Sequence, residues 1–167
     1  VKLVPKQLKV SEIEISGAYQ NISPNFVASL KVIIENVNRF YKKVLKKSWR
    51  MKDADGVILG ENYTPLEKVG VYIPAGTAPL VSTVYMTVLP AKLAGVKKIA
   101  LISPPDKQGY INPHILVVAN LLKVDEIYRV GGAQGIAALA YGTKTIPRVY
   151  KIVGPGNIYV SEAKRQV

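Results

Sequence analysis

The chain predicts an α/β fold, a parallel sheet built by strand-helix alternation and preceded by a helical N-terminal section. Three observations carry this. From about Leu66, apolar β-type runs recur, each run is closed by a turn rich in glycine or proline, and each turn leads into a stretch of helical character. Strict alternation of this kind joins strands through right-handed crossovers, so the sheet is parallel. The 167 residues suffice for one domain and part of a second, and we divide them at residue 66, into a helical section with a small β-hairpin (1–66) and an α/β part (67–167).

In order along the chain, Ser11 with Glu14 forms a capping box ahead of a short helix, and Ser23-Pro24 supplies an N-cap with proline in the first helical turn. A long helix follows. Its apolar residues Phe26, Leu30, Ile33, Ile34, Val37, Phe40, Val44 and Leu45 recur at spacings of three and four, which predicts one face on a core and the lysines outward. Trp49 to Lys52 and Val57 to Leu59, joined around Asp55-Gly56, read as a hairpin, and Pro65 ends the section.

Strands are then expected near 68–73, 97–103, 126–130 and 149–153, and helices near 82–94, 112–123, 134–141 and 157–167. Pro90 predicts a kink or break in the first of these helices. The loop Ser103 to Pro113 leads into a helix capped by Asn112, with Pro113 in its first turn. Residues 161–167 read as helix without a stop signal, and with Val1 at the start this suggests a fragment of something longer.

Composition narrows the function classes. The formal charge of +12 favours anionic ligands, and seven of the basic residues fall between Arg39 and Lys52 among Phe40, Tyr41 and Trp49. That cluster reads better as a solvated helix face than as a nucleic-acid footprint, because its aromatics fall partly on the apolar stripe. With no cysteine, neither disulfides nor thiolate zinc ligation can form within the chain. No apolar run approaches the ~18 residues of a membrane span, so a soluble protein is expected.

The turns Pro74-Ala75-Gly76-Thr77, Gly131-Gly132-Ala133-Gln134 and Gly154-Pro155-Gly156-Asn157 fall in register along one sheet edge. Open α/β sheets bind ligands at that edge, where glycines admit close backbone approach and helix starts favour negative charge. The usual G-x-G-x-x-G fingerprint is absent, since Gly154-Pro155-Gly156 carries only its first two glycines. Tyr72, Gln134 and Asn157 instead bring a ring and two amides to the strand ends, suited to a ribose, amide or phosphate. Gly132, Gly154 and Gly156 complete the candidate cofactor-binding set.

Catalytic equipment is not visible. The sole histidine, His114, stands in a helix start without a second ligand at helical spacing. Ser82 and Ser103 lack a base, and Glu12 with Glu14, or Asp125 with Glu126, read as helix-terminus or surface charges. No metal-binding residue is assigned within the chain.

Those same motifs carry a resemblance. The segments Val69-Gly-Val-Tyr-Ile-Pro-Ala-Gly-Thr-Ala-Pro-Leu80, Asp125-Glu-Ile-Tyr-Arg-Val-Gly-Gly-Ala-Gln-Gly-Ile-Ala-Ala-Leu-Ala-Tyr-Gly-Thr143 and Lys151-Ile-Val-Gly-Pro-Gly-Asn-Ile-Tyr-Val160 resemble histidinol dehydrogenase, in matching order and spacing. The resemblance implies Rossmann-like domains, each incomplete, within an aldehyde-dehydrogenase-like architecture for the whole protein. It implies a cytoplasmic homodimer that uses zinc and NAD to oxidise L-histidinol to L-histidine through the aldehyde. The family's NAD-contacting tyrosine, glutamine and asparagine fall on Tyr72, Gln134 and Asn157. Its zinc ligands and Glu-His acid/base pair come later than Val167, so the chain is expected to supply the NAD side and to be inactive alone.

Two positions depart from the family pattern, Ala75 where a first glycine is usual and Gly135 where alanine is usual. A methyl at 75 crowds the cofactor only if that residue needs a positive φ, and Gly135 is expected to loosen the first turn of its helix by up to ~1 kcal/mol. The alternative from another class is a non-catalytic nucleotide-binding module of the same fold.

Overall fold

The computed structural model describes residues 4–75 and 79–167. Gly76 and Thr77 of the first glycine turn lie outside the described residues.

The N-terminal section begins with α1 (Glu12–Ala18) and α2 (Pro24–Val44). Both start as the sequence predicts. The Ser11 hydroxyl accepts from the Glu14 amide at 3.3 Å while the Glu14 carboxylate accepts from the Ser11 amide at 3.0 Å. At α2 the Ser23 hydroxyl accepts from the Phe26 amide at 3.2 Å, ahead of a proline that has no N–H to leave unpaired.

The apolar stripe of α2 is narrower than its spacing suggests. Phe26, Leu30, Ile34 and Val37 pack on the core, with Leu30 only 2% exposed. Ile33, Phe40, Val44 and Leu45 are exposed. The first two sit at the rim of the stripe, and the last two lie past Tyr41, whose hydroxyl is 3.5 Å from the Met86 carbonyl of the neighbouring helix.

β1 (Trp49–Lys52) and β2 (Ile58–Glu61) pair as an antiparallel hairpin, with β2 two residues longer at its far end than expected. The Asp53 carboxylate closes the turn by accepting from the Asp55 and Val57 amides. Alternation along the paired strands puts Trp49, Met51 and Leu59 on one face and Arg50 and Lys52 on the other. Every residue of both strands is exposed.

Beyond the hairpin come β3 (Lys68–Tyr72), α3 (Val81–Leu93), β4 (Lys98–Ser103), α4 (Pro113–Leu121), β5 (Glu126–Arg129), α5 (Gly132–Tyr141), β6 (Lys151–Val153) and α6 (Ile158–Gln166). The strands make one parallel sheet in the order β5-β4-β3-β6, with Val71 opposite Leu101 and Val153. Of the kink or break expected at Pro90, the break does not occur, since α3 continues through it as one helix. Proline removes the N–H that would bond Met86, and the Tyr41 hydroxyl reaches towards that freed carbonyl. β6 is shorter than expected because Val149 turns its amide to the Leu139 carbonyl at 2.9 Å.

Alternation along the strands divides the core in two. Val69, Val71, Ile99, Leu101 and Ile127 pack with α3 and α4, and the N-terminal helices lie against those, α2 on α3 and α1 on α4. Tyr72, Ala100, Ile102 and Tyr128 face α5 and α6. Sequence reading missed an edge contact. Residues 8–10 run antiparallel to β5, the Val10 amide bonding Ile127 at 2.9 Å and the Arg129 amide bonding Leu8 at 2.8 Å. No described helix is long and apolar enough to cross a membrane.

Candidate functional site

The layering positions the site. After β3 and β4 the chain crosses to the face carrying α3 and α4, whereas after β5 and β6 it crosses to the face carrying α5 and α6. Neighbouring connections therefore diverge twice along the carboxyl edge, between β4 and β5 and between β3 and β6. Divergence of this kind opens the crevices in which α/β sheets hold ligands.

The first crevice is a cleft of about 690 Å³, lined by Ala75, Pro104, Asp106, Lys107, Gly132 and Gln134 among others. Its floor includes the start of α5. Gly131 is the extended N-cap, Gly132 has a φ of 66°, and no side chain caps the helix. The first amides of α5 thus face the cleft at the positive end of the helix dipole. A side chain at Gly131 would reach within 2.7 Å of Pro104, so glycine is what lets the two cleft walls approach. Gln134 is exposed on the first turn of α5.

The opposite wall, Pro104 to Lys107, was read from sequence only as a surface connection. The signal was the spacing of Asp106, whose carboxylate accepts from the Gln108 and Tyr110 amides, each at 2.9 Å. That Asx-type closure fixes the loop beside Lys107. Among the described residues Lys107 is the one cation lining the cleft.

At the second crevice the chain passes from β6 to α6 through Gly154. Its φ is 115°, and a Cβ there would lie 2.0 Å from the Tyr72 carbonyl oxygen, so the turn is pressed against the end of β3. A Cβ at Gly156 would fall 2.2 Å from Val160, which seats the first turn of α6. Asn157 is the N-cap of α6, and its side-chain oxygen accepts from the Val160 amide at 3.1 Å. The oxygen is engaged, which leaves the NH2 as the group free to point outward. Tyr72 is only 4% exposed, with its ring among Ile102, Tyr128 and Ile136 rather than open as a stacking platform.

Lys164 of α6 donates to the Gly154 carbonyl at 2.6 Å, and burial pushes its pKa below the ordinary lysine value. Gly135 is buried, and a Cβ there would lie 2.9 Å from Ile102 Cδ1, so the glycine allows α5 close to β4. Among the described residues Lys123 is the one non-glycine with positive φ, so the condition for crowding at Ala75 is not met.

The remaining candidates have structural roles. His114 meets Phe26 edge-on with ring centroids 4.8 Å apart, and its Nδ1 is 3.2 Å from the Asn112 side-chain oxygen. Asp125 accepts from the Ile99 amide at 2.9 Å, and Glu126 pairs with Lys9 at 2.8 Å. Among the described residues no three of His, Cys, Asp and Glu come together in a way that could hold a metal ion.

Comparison with known proteins agrees over nearly the whole chain. The family model described as histidinol dehydrogenase matches residues 2–167. Curated proteins named histidinol dehydrogenase are similar, 53% identical over 161 residues in Listeria innocua and 54% identical over 162 residues in Bacillus cereus. These alignments cover 96% and 97% of this chain but only 38% of each relative. A crystal structure of histidinol dehydrogenase from Elizabethkingia anophelis superposes with a TM-score of 0.91 at 41% identity, covering 95% of this chain and 37% of that one.

Proposed function

Because the chain belongs to the histidinol dehydrogenase family, we propose that it forms the NAD-holding part of an enzyme that oxidises L-histidinol to L-histidine through the aldehyde. The observation that carries this reading is the doubly divergent carboxyl edge, whose glycine turns bring Gln134 and Asn157 to the strand ends. The activity belongs to the protein at the length of its relatives, of which this chain spans about 38%.

The residues present fit NAD. Uncapped amides at the start of α5 and the ammonium of Lys107 offer the cleft positive charge for a pyrophosphate. The Gln134 amide and the free NH2 of Asn157 can bond ribose or carboxamide oxygens and so fix the orientation of the ring that reacts. Tyr72, packed beneath the turn at Gly154, supports that edge from below. When bound, NAD supplies the hydride acceptor for the alcohol and then for the aldehyde. Among the described residues no set of His, Cys, Asp and Glu fits zinc, so no step through a metal is derived from them.

For the complete enzyme we propose a homodimer acting in the cytoplasm, as the family resemblance implies. The isolated chain is expected to produce no NADH from L-histidinol, NAD and zinc, followed at the absorbance of reduced nicotinamide, while the enzyme at natural length does. NADH accumulation by the isolated chain would overturn the assignment of the chemistry to residues outside it.

A further inference from the structure

The β6–α6 turn is held by more than its own glycines. Side chains on a helix lean towards its N-terminus, and Lys164, in the last turn of α6, follows that direction back to the Gly154 carbonyl at 2.6 Å. This places an ammonium beside the turn that opens α6. Helix dipoles favour cations at the opposite end. The position is half-buried as well, so the charge is held there against both dipole and desolvation. A local arrangement that runs against helix electrostatics, yet bonds a single backbone carbonyl, calls for a compensating role.

The carbonyl it holds belongs to the residue pressed hardest against β3. Gly154 leaves no room for a Cβ beside Tyr72, and three residues later Asn157 begins α6. Any displacement of Gly154 therefore moves Asn157 relative to the end of β3. We propose that Lys164 is a positioning residue for the cofactor, pinning the Gly154 carbonyl so that Asn157 presents its amide at the crevice between β3 and β6. The inference rests on the reading that NAD occupies this edge.

The test uses the enzyme at natural length, with NAD affinity read by calorimetry and KM and kcat measured for both substrates. Lys164→Met is expected to weaken NAD binding about tenfold, the scale of a lost hydrogen bond to a charged group, with the KM for L-histidinol little changed. Lys164→Arg, which keeps charge and donors, is expected to restore most of that loss. The double variant Lys164→Met/Asn157→Ala is expected to bind NAD no more weakly than Asn157→Ala alone, because one residue acts through the other. Should the methionine variant fail to fold, Lys164→Leu is read the same way, since it too removes the charge and every donor. If Asn157→Ala weakens NAD and Lys164→Met does not, or if the two losses multiply independently, the positioning role is wrong. If Asn157→Ala leaves NAD affinity unchanged, the cofactor reading itself fails and this inference falls with it.

Discussion

Among the described residues Arg129 is the buried cation, its side chain only 10% exposed, and Glu14 is its ion-pair partner at 2.5 Å. The guanidinium Nε has no hydrogen-bond partner among the described residues, so Glu14 carries most of the compensation. Burial raises the Glu14 pKa, but hydrogen bonds from Ser11 and the charge and hydrogen bond of Arg129 outweigh it and hold the carboxyl below 4.5. A carboxyl depressed in the folded state adds stability above its unfolded pKa and loses it as pH falls through the folded value. Glu14→Gln is therefore expected to shallow the acid limb of stability below about pH 4.5, measured as the urea midpoint against pH. Glu14→Ala, which also removes the carboxylate's half of the capping box while the Ser11 cap remains, is expected to cost about 2 kcal/mol at neutral pH. The capping half of Glu14's role was legible from its three-residue spacing to Ser11. The Arg129 half was not, because 115 residues separate the pair and nothing local marks it.

Among the elements, α5 on β4 shows how a substitution can have opposing effects. Gly135→Ala raises helix propensity by up to ~1 kcal/mol, yet its methyl would meet Ile102 Cδ1 at 2.9 Å in a fully buried layer. The single change is expected to be near neutral in thermal denaturation. Combined with Ile102→Val, which removes the opposing methyl, it is expected to show a favourable coupling of about 1 kcal/mol. Additive effects would mean that α5 shifts freely on the sheet. The strands and helices of the α/β part were readable because their apolar runs end at glycine or proline, and each boundary fell within one residue of the expected one except at the starts of α5 and β6 and the end of α4, which differ by two. α2 was readable as a helix but not in how much of its stripe is covered, since spacing records a face and says nothing of where the neighbouring helix stops. The geometry of the candidate site was legible in the same measure. Its glycine turns announced themselves, while the Pro104 to Lys107 wall came from a loop whose composition reads as ordinary surface.

At the scale of the whole molecule, the N-terminal segment closes the outer edge of β5, and its three-residue pairing is too short to show in sequence. Hydrogen exchange should separate the regions: the Val10 and Arg129 amides, bonded across that edge, are expected to exchange at least about tenfold more slowly than those of β1 and β2. Comparable rates would mean that the edge contact opens independently of the sheet. The hairpin stands apart from this protection because both of its faces are exposed, and the apolar one carries Trp49, the only tryptophan in the chain. Indole emission shifts to the blue as water leaves its surroundings. The chain thus has a built-in optical label on one apolar patch, silent about the ligand edge, and its colour reports whether that patch is wet or covered.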